Sequence, residues 1–101
     1  EIKSPFTTQV HLDTLLNGKI KPEYLIQCQF SMWVTGWDKW HFCSYDHRVR
    51  GSSQNRLHTV VIDRDESIMA KFDKYIPKFI EEMDRHLEKL NFKFGDQWRE
   101  F

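Results

Sequence analysis

At 101 residues, with 40% hydrophobic and 15% aromatic side chains including four Trp and eight Phe, the chain has room for one small domain with a modest core. Fifteen basic and fifteen acidic residues cancel, which argues against a general cationic coat for nucleic acid but leaves room for a local phosphate-binding surface. Cys28 and Cys43 make neither a disulfide framework nor a zinc-ligand spacing, and no apolar run has membrane-spanning length or signal-peptide form, so the reading is a cytoplasmic protein.

In chain order, Glu1-Ile2-Lys3 reads as extended, because Pro5 biases its predecessor away from helix. Thr8 is the expected N-cap of a short helix reaching Leu16, with Asn17-Gly18 as its stop. Pro22 suits the first turn of a second helix, Glu23 complements its dipole, and Gly36 ends it after Thr35. Its apolar face is expected at Ile26, Phe30, Trp33 and Val34. A hairpin follows, with strands at Trp40 to Tyr45 and Leu57 to Ile62 around a polar loop with Gly51-Ser52-Ser53 at its tip. From Ile68 to Leu90, apolar residues advance by threes and fours, a stripe expected to cover one face of a sheet. Pro77 inside that stripe predicts a kink or a second helix. The pattern is α/β, with a sheet short of at least one strand. The abrupt start, without an initiator Met, suggests a fragment whose upstream part pairs with the first strand.

Three groups of residues could carry chemistry. On a strand, Glu1 and Lys3 share one face, with Ile2 expected to point into the core. Glu1 and the backbone carbonyl of Ile2 could hold a hard cation, while Lys3 orients or helps deprotonate a water and offsets charge growing on phosphorus. The plainer reading is an exposed pair on an edge strand. Tyr24, Gln27 and Ser31 form a polar stripe at helical spacing. Gln27 could hydrogen-bond a bound water or hold the lysine and Tyr24 could touch a phosphate, or the stripe is simply a solvated face. Arg48, Arg50 and Arg56 (with His47) could grip a DNA backbone, or form a solvated hairpin tip. His11, His41, His47, His58 and His86 have no metal-ligand spacing, and Trp37 and Trp40 are expected to pack rather than stack on bases.

The stretch Glu1-Ile2-Lys3-Ser4-Pro5-Phe6-Thr7 resembles the second conserved block of the lambda-exonuclease family, the YqaJ-type viral recombinases or alkaline exonucleases. Gln27 to Thr35, Tyr45-Asp46, Val60 to Glu66 and Phe94 to Arg99 follow in that family's order, so the resemblance spans essentially the whole chain. It implies the C-terminal part of a PD-(D/E)XK restriction-endonuclease-like core, a mixed sheet flanked by helices, with the N-terminal part of the same domain missing from residues 1–101. It implies an enzyme that uses Mg2+ (Mn2+ substituting) to digest the five-prime-ended strand of duplex DNA to mononucleotides, leaving three-prime overhangs for recombination. A homotrimeric ring around DNA ends, a single-strand annealing protein as partner and a bacterial or phage-infected cytoplasm are implied too. By match of motif, Glu1 and the Ile2 carbonyl are metal ligands, Lys3 and Gln27 catalytic, and Tyr24 a support. The family's second metal-binding aspartate lies upstream of Glu1, so the fragment alone is expected to be inactive. The competing expectations are a restriction- or repair-type endonuclease on the same fold, and a non-catalytic module that binds DNA or a recombination partner.

Overall fold

The computed structural model of the chain describes residues 1–91. Its elements run β1 (Ile2–Lys3), α1 (Thr8–Asn17), α2 (Pro22–Thr35), β2 (Lys39–Tyr45), a single helical turn α3 (Ser53–Arg56), β3 (Leu57–Asp63) and α4 (Glu66–Lys89). The order matches expectation, with α3 added where an irregular loop was read. The strands form one mixed sheet in the order β1-β2-β3. β1 runs parallel to β2, with Ile2 opposite Cys43 and Lys3 opposite Ser44. β2 and β3 form the antiparallel hairpin, from Lys39 opposite Asp63 to Tyr45 opposite Leu57. The block Phe94 to Arg99 lies outside the described residues.

Helix ends follow from local chemistry. Thr7, not Thr8, is the N-cap residue of α1, and its side chain makes no capping bond. At the other end Gly18 turns left-handed at φ 63°, so that its N–H reaches the Thr14 carbonyl at 3.0 Å. Gly36 ends α2 in the same way at φ 76°, donating to the Met32 carbonyl at 2.8 Å. That carbonyl also accepts from the Arg64 guanidinium at 2.7 Å, a cation placed where the helix end is negative.

Alternation along the hairpin divides the sheet into two unlike faces. On one, Phe42 and Ser44 are buried, while Trp40, His58, Val60 and Ile62 are half-buried. Helices α1 and α2 supply its partners: Tyr24 stacks on Phe42 with ring centroids 5.9 Å apart, and His11 binds Ser44. On the other face His41, Tyr45, Leu57, Thr59 and Val61 are exposed. Ile2 belongs to this second face and is 70% exposed, not in the core, because its parallel pairing places it beside Cys43.

The buried stripe of α2 also differs from the one expected. Cys28, Gln29 and Met32 face inward, whereas Ile26, Phe30 and Val34 are exposed. The helix is apolar around most of its circumference, so periodicity could not choose its inner side. A polar residue decides it. The Gln29 amide donates to the Asp63 carbonyl at 2.9 Å and accepts from the Asp65 N–H at 3.0 Å, fastening α2 to the end of β3.

Two further polar anchors hold α1. His11 is fully buried, and because a carbonyl only accepts, its Nε2 donates to the Asn55 carbonyl at 2.7 Å. In the neutral ring, Nδ1 is then the acceptor for the Ser44 hydroxyl at 2.8 Å. The second anchor is Asp46, also buried. Its carboxylate takes two bonds from the Arg48 guanidinium, 2.9 Å from Nε and 3.2 Å from Nη2. The same guanidinium donates to the carbonyls of Pro5 and Phe6 at 3.1 and 3.0 Å, fixing the turn between β1 and α1. These bonds to Arg48, with the Thr8 hydroxyl adding another, hold the Asp46 carboxyl well below the usual carboxylate range.

Residues Glu1–Met69 form one compact unit and those from Ala70 a second. α4 starts on Asp65, whose carboxylate accepts from the Ser67 N–H at 2.9 Å and its hydroxyl at 2.6 Å. The helix continues through Pro77 to Lys89, so no second helix starts there. Its stripe leaves Tyr75, Phe79, Ile80 and Met83 exposed.

Two stability outcomes follow. Gln29→Ala strands a carbonyl and an N–H at a half-buried site and is expected to cost about 1–3 kcal/mol in urea unfolding. A folded-state pKa held below the unfolded value, about 3.9 for Asp, means Asp46 stabilises fully above that pH. The contribution fades as pH falls from there towards the folded value. Melting curves should therefore show Asp46→Asn less stable than the native chain at pH 7, with the gap narrowing below about pH 4.

Candidate active site

The candidate site is built on the edge strand. Glu1 presents both backbone groups to β2: its nitrogen donates to the His41 carbonyl at 3.1 Å and its carbonyl accepts from Cys43 N–H at 2.8 Å. Alternation then turns the Ile2 carbonyl the opposite way, along the outer edge of the sheet. Among the described residues no strand lies beyond that edge.

Glu1 and Lys3 share the helix-covered face, as the sequence predicts, and meet there with Nζ 3.0 Å from Oε1. Both side chains keep about a quarter of their exposure. Beneath them α2 contributes Tyr24, whose ring centroid lies 4.8 Å from the Lys3 ammonium and 5.7 Å from that of Lys21. Cys28, one turn further along, is fully buried, and its thiol is pushed up by burial and, next, by the negative charge of Glu1. A raised thiol is a poor nucleophile, so Cys28 packs rather than reacts. Beside Lys3 and Tyr24 opens a cavity of about 240 Å³, walled by Lys21, Ile20, Phe42 and Ser44 as well.

The other candidates separate. Gln27 follows Tyr24 by one helical step, with its side chain exposed. Ser31 donates its hydroxyl back to the Gln27 carbonyl at 3.0 Å. The arginines of the hairpin loop do not form one grip: Arg48 is tied to Asp46 and the β1–α1 turn, and Arg56 donates to the Gly51 carbonyl at 2.9 Å. Arg50 is exposed. Trp37 and Trp40 pack on each other, with centroids 5.5 Å apart. The residues that sequence reasoning missed are Lys21 and the His11–Ser44 pair. Lys21 was legible, since it stands three residues before Tyr24 at a helix start. No periodicity announces a buried histidine.

The donor set bears on a metal. A carboxylate from Glu1 and a carbonyl from Ile2, adjacent on an edge strand, are the oxygen ligands a hard divalent cation takes. Among the described residues, no three His, Cys, Asp or Glu side chains converge on one point. The chain thus offers two oxygens that could hold such a cation, and among the described residues no further carboxylate joins them. No helix among the described residues is long and apolar enough to cross a membrane.

Residues 1–38, which carry Glu1, Lys3, Tyr24 and Gln27, match the model of the YqaJ-like viral recombinase domain. The protein ExoD of Escherichia coli (strain K12) is 50% identical over 80 residues, covering 79% of this chain and 88% of ExoD. Among solved structures, the alkaline exonuclease LHK-Exo of Laribacter hongkongensis superposes with a TM-score of 0.77 at 34% identity. That match covers 90% of this chain and 45% of the exonuclease, so this chain spans less than half of the enzyme's length. LHK-Exo in complex with dAMP matches equally, with a TM-score of 0.76 at 34% identity over 89% of this chain and 45% of the enzyme. The chain belongs to the lambda-exonuclease family, the YqaJ-type viral recombinases, and its sheet and helices are part of a PD-(D/E)XK nuclease core.

Proposed function

We propose that this chain supplies the Glu-x-Lys half of the active site of a magnesium-dependent DNA exonuclease. The observation that carries the reading is the Lys3 ammonium, held 3.0 Å from the Glu1 carboxylate and over the Tyr24 ring, beside an edge-facing Ile2 carbonyl. In this reading Glu1 and Ile2 are metal ligands, and the missing carboxylate comes from the part of the nuclease that this chain does not match. Mg2+, with Mn2+ substituting, would polarise the phosphodiester and lower the pKa of an attacking water. Lys3 orients that water and balances charge on the phosphate, Gln27 binds near it, and Tyr24 holds the Lys3 ammonium in place.

The substrate we infer is the end of double-stranded DNA, digested from the five-prime-ended strand to mononucleotides. The three-prime overhangs would serve strand annealing with a single-strand annealing protein, in a bacterial or phage-infected cytoplasm, by a homotrimeric ring. LHK-Exo, whose name makes it an alkaline exonuclease and which binds dAMP, supports the exonuclease over an endonuclease on the same fold.

In the complete nuclease, Lys3→Ala is expected to lower kcat on linear duplex DNA by about 10³-fold with an unchanged melting curve. Glu1→Gln should instead weaken magnesium binding in a calorimetric titration. Near-normal cleavage by Lys3→Ala removes Lys3 from the mechanism. Cutting of a covalently closed circle shifts the reading to an endonuclease. DNA affinity with no magnesium binding by the native nuclease leaves only a binding module.

A further inference from the structure

The segment joining α1 to α2 carries two lysines to which the proposed reaction gives no task. Lys19 and Lys21 are exposed, and among the described residues neither enters an ion pair. Their backbone is nonetheless fixed. The buried Thr14 donates its hydroxyl to the Lys19 carbonyl at 2.7 Å, and the Lys19 N–H reaches the Asp13 carbonyl at 3.2 Å. The Lys21 carbonyl accepts from the N–H groups of Tyr24 and Leu25 at 3.0 and 3.2 Å. The Lys21 ammonium lies 5.7 Å from the Tyr24 ring centroid, and that of Lys3 already lies at 4.8 Å. Glu1 balances Lys3, whereas among the described residues no carboxylate pairs with Lys21. Two like charges against one ring repel each other, and an exposed ammonium gains little from the ring alone. An anion beside both relieves that repulsion.

Behind these charges lies the cavity of about 240 Å³, whose walls are of a different kind. Val10, Ile20 and Phe42 line it together with Lys3, Lys19 and Lys21. A bare phosphate gains nothing from the apolar part. A group that is anionic at one end and apolar over a flat body suits both parts, and a nucleotide with its base unstacked is such a group. An apolar cavity of about 150 Å³ takes benzene, so this one has room for a single nucleobase. Asp13, also on the wall, can accept from a base N–H. We propose that the cavity and its two lysines form a subsite for one unpaired nucleotide of a DNA strand. Its phosphate lies on Lys21 and Lys19, and its base lies against Ile20 and Val10. The DNA strand rests on the nuclease reading above; the subsite positions that strand next to Lys3 and takes no part in bond breaking.

The test titrates the 101-residue chain with a short single-stranded oligodeoxynucleotide in EDTA, so that neither metal nor cleavage is involved. Lys21→Ala should lower the slope of log affinity against log salt by about 0.7, the share of one phosphate on a single strand, and Lys21→Arg should restore it. Lys71→Ala, an exposed cation on α4, should leave the slope unchanged. The same strand with its bases removed should bind the native chain roughly tenfold more weakly. Ile20→Trp, which fills the cavity, should bind both strands equally, with melting curves checking that it folds. The abasic strand puts the same question to the native chain should that variant fail to fold. A slope indifferent to Lys21→Ala, an abasic strand bound as tightly as the complete one, or no binding in EDTA each overturns the subsite. Cleavage by Lys3→Ala in the complete nuclease bears on the reaction alone, so the two claims fail separately.

Discussion

The pairing of two residues, Ile2 and Lys3, along β2 is the contact on which the candidate site depends. It sets the register that turns Glu1 and Lys3 towards α2 and sends Ile2 to the opposite face. A shift of one residue would exchange those faces, placing an isoleucine over Tyr24 and both charges on the bare side. So short a strand carries few ladder bonds, and the turn after it takes up the restraint. Arg48, gripped by the buried Asp46, binds the carbonyls of Pro5 and Phe6, and thereby holds the exit of β1 against the hairpin.

The second restraint comes from beneath. α2 places Tyr24 under Lys3 only because its orientation about its own axis is fixed by Gln29 near its middle and by the Tyr24–Phe42 stack near its start. An all-apolar interface would allow the helix to roll. A buried amide with both hydrogen-bonding groups matched allows one angle, since any roll leaves two backbone groups unpaired. Arg64, bonded to the Met32 carbonyl, fixes the same helix lengthwise. The charged pair at the edge is therefore positioned by polar contacts more than 20 residues away in sequence, none of which needs to touch a substrate.

The chain has zero net charge, but its charges are not evenly spread. Its cations are concentrated locally: Lys3 and Lys21 share the Tyr24 ring next to a cavity of about 240 Å³. Two of the three loop arginines, by contrast, serve the scaffold. Arg48 and Arg56 bind backbone carbonyls of the chain itself, so charge in a loop and charge available to a ligand are different quantities.

Local chemistry in the sequence determined the elements and the identity of the acid–base pair. Gly18 and Gly36 end their helices because a left-handed residue is cheapest without a Cβ, and Pro22 opens one because its missing N–H has no partner to lose there. The period of two on a strand placed Glu1 and Lys3 together. Tertiary structure alone decided which side of each element is inside. α2 is apolar on several sides and both faces of the hairpin carry apolar residues, so periodicity has no single direction to report. The outcome rests on long-range polar matches, Gln29 with Asp63 and Asp65, His11 with Ser44 and Asn55, that depend on where distant backbone groups lie in space.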